Sequence, residues 1–180
     1  MKRSRSIALV MMGAGGIVLT ACDEPQVDAN VFRDVEQCID QPGASRAACE
    51  EAYGVAAAQH AAVAPKYADE ADCETDFGAG QCETAPYQTQ SGGSVFMPLM
   101  MGYMMGSMLG GGRGGFGAQP LYRSADAPGT FRTADNQSVG TTTGATKVAQ
   151  SATARPTVKT STVSRGGFGA RARTYGSAST

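Results

Sequence analysis

The residues able to do chemistry in this chain are five cysteines, one histidine and nine methionines. Cys38, Cys49, Cys73 and Cys82 form an even set with no CxxC pair, so a disulfide framework fits better than a zinc site. Spacing alone leaves three pairings open. An internal repeat favours one of them. Asp34-Val35-Glu36-Gln37-Cys38 followed by Gly43-Ala44 matches Asp69-Glu70-Ala71-Asp72-Cys73 followed by Gly78-Ala79, each with a second cysteine soon after. Two copies of one unit favour Cys38–Cys49 and Cys73–Cys82. His60 is the lone imidazole, and any Ser-His-Asp or Cys-His arrangement would have to use it. Asp72, Glu74, Asp76 and Glu83 fall at positions one, three, five and twelve of a calcium loop, but Phe77 stands where the turn needs glycine. Met97, Met100, Met101, Met104, Met105 and Met108 recur at steps of three and one, so on a helix six thioethers share one face. Such sulfurs are soft ligands for Cu(I) and equally an adaptable apolar surface.

Cys22 has a separate reading. Lys2, Arg3 and Arg5 precede an apolar run at residues 7–18, and Leu19-Thr20-Ala21-Cys22 follows. That is a secretory signal too short to span a bilayer, with small residues at the cleavage site. The last four residues resemble the lipobox of bacterial lipoproteins, whose cysteine is acylated and becomes the first residue of the mature chain. The expected product is anchored on membrane lipid through Cys22 and faces the periplasm. Asp23 resembles an inner-membrane retention signal, with the outer membrane as the alternative. The net charge of -1 conceals a separation: residues 22–109 carry 14 acidic and 3 basic side chains, and residues 110–180 carry 2 and 9. A basic tail points to an anionic envelope polymer or lipid as partner, or to the protein's own acidic half. Export argues against nucleic acid.

The elements that must position these residues read as a small α-helical, disulfide-stapled head, then a Met/Gly-rich helical segment, then a largely disordered tail. The expected division is a signal peptide at 1–21, a tether at 22–33, the head at 34–87, a linker at 88–94, an association or membrane segment at 95–112 and a basic Gly/Ser/Thr-rich tail at 113–180. Ser45 can cap a helix from Arg46 to about Val63, which Pro65 terminates. Its inward stripe would be Cys49, Tyr53, Ala56, His60 and Val63. Opposite the methionine face lie Gly102, Gly106 and Gly110, a small-xxx-small ladder suited to self-association or to contact with an envelope protein. The pentapeptide Arg-Gly-Gly-Phe-Gly occurs at 113–117 and again at 165–169.

Ala64-Pro65-Lys66-Tyr67, the unit from Asp72-Cys73 through Phe77-Gly78-Ala79-Gly80-Gln81-Cys82, Phe96-Met97-Pro98-Leu99-Met100 with Gly102-Tyr103-Met104-Met105-Gly106, and the second Arg-Gly-Gly-Phe-Gly box together resemble the YgiB family. That resemblance implies a proteobacterial envelope protein of unknown function. It supplies no catalytic residues and no cofactor. The sequence therefore predicts a non-enzymatic envelope lipoprotein with a structural or interaction role, with Cu(I) binding through the methionines as the alternative.

Overall fold

A computed structural model describes residues 24–106, 117–163 and 168. Its frame is a six-stranded antiparallel sheet, built from β1 (Gln26–Phe32), β4 (Gly102–Gly106), β5 (Gln119–Tyr122), β6 (Phe131–Thr133), β7 (Ser138–Gly140) and β8 (Gly144–Ala149). The strand order is β7-β6-β5-β4-β1-β8. The two outer strands are consecutive in the chain and joined by residues 141–143. Four Cα steps reach at most about 14 Å, whereas five strand spacings in a flat sheet cover about 24 Å. The sheet must therefore curl until β7 and β8 lie side by side, which makes it a nearly closed barrel.

Alternation along the strands sorts two cores. Val27, Ala29 and Val31 of β1 point inward with Met104, Leu121, Phe131, Val139 and Val148, one from each of the other five strands. A 3-10 turn at Gln150–Thr153 closes one mouth with Ala152, whose carbonyl accepts from Gln119 Nε2 at 2.8 Å. Phe32, Tyr103 and Met105 point outward and are covered by α1 (Val35–Ile39) and α2 (Arg46–Val63). Full burial of residues such as Val31, Leu121 and Phe131 stabilises the barrel by roughly 1.5 to 3 kcal/mol each. Asp34 and Ser45 cap the two helices, accepting from Gln37 N at 2.8 Å and Ala48 N at 3.3 Å. The Cys38–Cys49 bond ties α1 to α2. The buried stripe of α2 is Cys49, Ala52, Ala56, His60 and Val63; Ala52 stands in it where the helical spacing suggested Tyr53. Tyr53 is partly exposed and meets the Tyr103 ring edge-on at 5.7 Å.

A second layer consists of α3 (Glu70–Phe77) and the hairpin of β2 (Cys82–Gln88) with β3 (Ser94–Pro98). The Cys73–Cys82 bond joins α3 to β2. Val63, Tyr67, Cys73, Phe77, Val95, Met97, Tyr122 and Phe168 make a third core between this layer and the barrel.

The all-helical expectation is thus overturned: helices lie on a sheet that dominates the molecule. The segment expected as a Met/Gly helix forms β3 and β4. The four of its methionines that belong to a described core are divided: Met97 is in the third core, Met104 inside the barrel and Met105 under the helices, with Met100 packed against the same cluster as Met105. Gly102 and Gly106 are sheet residues. A Cβ on Gly102, at φ +153°, would sit 2.5 Å from the Phe32 carbonyl oxygen, so β1 approaches only because this residue is glycine. Gly110, Met108, Cys22 and the signal segment lie outside the described residues. The expected disordered tail contains β5 to β8. Its apolar residues are sparse because each of these four short strands supplies only one side chain to the barrel interior. Its charge is partly neutralised within the fold, since Lys147 on β8 pairs with Asp28 on β1 at 2.9 Å.

Candidate functional site

The last turn of α2 carries His60 to the junction of both layers, where it is 8% exposed. Its ring stacks on Tyr122 of β5, with centroids 5.6 Å apart and planes 29° from parallel. Nδ1 lies 2.9 Å from the Tyr122 hydroxyl, and Nε2 lies 3.0 Å from Glu83 Oε1 on β2. One tautomer satisfies every partner: Tyr122 donates to Nδ1, and the Nε2 proton is donated to the carboxylate. Glu83, His60 and Tyr122 thus form a chain across α2, β2 and β5.

A second buried pair lies beside it. Tyr67 donates its hydroxyl to Asp76 Oδ2 at 2.8 Å, and the Asp76 main-chain carbonyl accepts from Ala125 N at 2.7 Å. Burial first, then the Asp76 carboxylate, pushes the Tyr67 phenol far above its ordinary range. Burial and Glu83 do the same to Tyr122. Both phenols keep their protons at neutral pH, so they are donors and not nucleophiles. The four cysteines among the described residues are all in disulfides. The arrangement can pin three elements together and can pass a proton along a short path; it presents no activated nucleophile among the described residues.

The candidate ligands of the sequence are dispersed. Glu74 Oε1 accepts from Gly80 N at 2.6 Å, Asp76 holds Tyr67 and Glu83 holds His60, so the acidic set does not converge as a calcium loop would. Among the described residues no group of three or more His, Cys, Asp or Glu side chains could hold a metal ion. Tyr122 and Glu83, the partners of His60, lie 62 and 23 residues from it in sequence, and no spacing rule links them. Only the placement of His60 on the inward stripe of a helix was available beforehand.

The family model described as "Protein of unknown function (DUF1190)" matches residues 26–179. The chain belongs to the DUF1190 family. A UPF0441 protein of Erwinia tasmaniensis is 42% identical over 84% of this chain and 74% of its own length. UPF0441 protein SG0265 of Sodalis glossinidius is 34% identical over 93% of the chain and 82% of its own length. UPF0441 protein PC1_0312 of Pectobacterium carotovorum is 35% identical, covering 93% and 81%. These are relatives of the YgiB group to which the quoted motifs pointed. No solved structure matches the chain. Two disulfides in a small domain fit an oxidising compartment. No helix among the described residues is long and apolar enough to cross a membrane.

Proposed function

We propose that this DUF1190 protein is a lipid-anchored, non-enzymatic binding protein of the cell envelope, held on the periplasmic face by acylated Cys22. The observation that carries the reading is the basic and apolar leader that ends in Leu19-Thr20-Ala21-Cys22. β1 begins at Gln26, four residues after the cysteine, so the barrel would ride within about 14 Å of the lipid to which Cys22 is joined. Two or more acyl chains, at about 0.8 kcal/mol per buried methylene, hold a protein stably without a spanning helix. Asp23 favours retention at the inner membrane. A non-enzymatic role is supported by the single histidine having both nitrogens engaged and by phenols that keep their protons. The copper alternative is the weaker reading, because Met97, Met104 and Met105 are divided among separate cores.

The experiment is metabolic labelling with a fatty acid. Wild type should incorporate label, and Cys22→Ser should incorporate none and accumulate as precursor. Equal labelling of both would overturn the anchor.

A further inference from the structure

Lys66 follows the proline that ends α2, and its side chain is turned into the protein, leaving the residue 7% exposed. Its ammonium donates to the carbonyl of Ala62 at 3.1 Å and to that of Lys159, and stands 5.2 Å from the centre of the Tyr87 ring. All three partners are neutral. Among the described residues no carboxylate pairs with it, whereas the neighbouring Lys159 ammonium is paired with Asp135. A buried ammonium held by neutral groups keeps a charge that nothing cancels, and burial followed by the nearby Lys159 lowers its proton affinity. The most favourable way to complete such an environment is an anion.

The space for one is present. Residues 157–163 cross the end of α2 as a strap, held by Lys159 N donating to Ala62 O at 2.9 Å, Val163 N donating to Lys66 O at 2.6 Å and Thr157 N donating to Asp135 at 2.9 Å. Cavities of about 390 and 500 Å³ lie along the strap, and both are lined by Lys66, Lys159, Thr160 and Ser161. Either is large enough for a small ligand. The larger adds a wall of Tyr87, Gln88, Thr89 and Gln90. Amides and hydroxyls in that number suit a ligand with many hydroxyl groups, and an aromatic ring offers a face for its C–H bonds.

We propose that this groove binds an anionic sugar, a hydroxylated ring bearing a carboxylate or a phosphate, with the charge at Lys66 and the ring against the wall from Tyr87 to Gln90. The site is independent of Cys22 and stands whether or not the chain is acylated. A bare anion would satisfy Lys66 and leave that wall unused. A neutral sugar would meet the wall and leave the ammonium uncompensated.

The test is titration of the full oxidised chain, purified in mild detergent, with glucuronate, glucose 6-phosphate, glucose and inorganic phosphate. Calorimetry reads affinity, and the side-chain nitrogen resonances of Lys66, Lys147 and Lys159 report which one responds. Both anionic sugars should move the Lys66 signal saturably, and glucose and inorganic phosphate should bind about tenfold more weakly or worse. Lys66→Gln should weaken binding of the anionic sugars by about tenfold, the loss expected for one charge-assisted contact, while Lys147→Gln leaves it unchanged. The wild-type spectra decide the matter if Lys66→Gln fails to fold. A Lys66 resonance unmoved by saturating anionic sugar, or moved equally by inorganic phosphate, overturns the proposal.

Discussion

Replacing Gly102 by alanine tests the barrel against the helical segment that its sequence suggests. A Cβ at this position meets the Phe32 carbonyl oxygen at 2.5 Å and the Phe131 ring at 3.4 Å, on a backbone at φ +153°. The obstacle is main chain of the central strand β1, which is paired on both sides by β4 and β8 and cannot swing away as a side chain would. Overpacking of this kind costs about 1 to 3 kcal/mol, and the strained backbone conformation adds about 1 to 3 more. A combined loss of about 2 to 6 kcal/mol is a large part of the roughly 5 to 15 kcal/mol that holds a domain folded. At about 3 °C per kcal/mol for a chain of this length, Tm should fall by about 6 to 18 °C. Gly54 in α2 is the control, since a Cβ there meets nothing within 4 Å. Gly54→Ala should gain up to about 1 kcal/mol from helix propensity. Thermal unfolding of the oxidised wild type and both variants, followed by circular dichroism, reads the difference. If Gly102→Ala melts at or above the wild-type temperature, the residue is not a close-approach point between strands and the assigned packing is wrong.

Three further outcomes follow from the packing. Removing Cys38–Cys49 or Cys73–Cys82 by paired alanine substitution opens a loop with a sequence separation of 11 or 9, and loop-closure entropy sets the loss at about 2 to 3 kcal/mol each in urea unfolding. Tyr122→Phe removes the donor to His60 Nδ1 and should cost about 1 to 3 kcal/mol by leaving a buried nitrogen without its partner, read in the same assay. Asp135 has its carboxyl held below the ordinary aspartate range: burial raises it, and Lys159 with Thr157 outweighs burial. Its contribution is therefore complete above the unfolded aspartate value and is lost as pH falls through the lower folded value. Hydrogen exchange at the Lys159 and Val163 amides should accelerate across that acid window in wild type, and Asp135→Asn should abolish the pH step.

Local signals were legible and tertiary ones were not. Asp34 and Ser45 cap helices because a short polar side chain before an apolar run has few other uses, and Pro65 stops α2 for a reason written in its own ring. The repeat around Cys38 and Cys73 placed each bond within one local unit, and the same pairs are joined in the structure. β4 was misread because it is buried on both faces. A strand covered by barrel interior on one side and α2 on the other shows no polar alternation, and its apolar run is indistinguishable from part of a helix by period alone. The tail was misread for the opposite reason: strands of three to six residues with one inward Leu, Phe or Val look like linker until they are assembled into a ring. Phe168, in the second Arg-Gly-Gly-Phe-Gly box, is 3% exposed and lies 4.8 Å from the Phe77 ring, which composition gave no means of foreseeing. The partners of His60 and the neutral surroundings of Lys66 are products of the same long-range assembly.

The most direct measurement of the proposed function is the intact mass of the chain purified from envelopes, with fragmentation of its N-terminal peptide. The account predicts a mature chain that begins at Cys22 and carries diacylglycerol on sulfur, with both disulfides retained. A chain that still begins at Met1, or one processed to leave Cys22 unacylated, would contradict it.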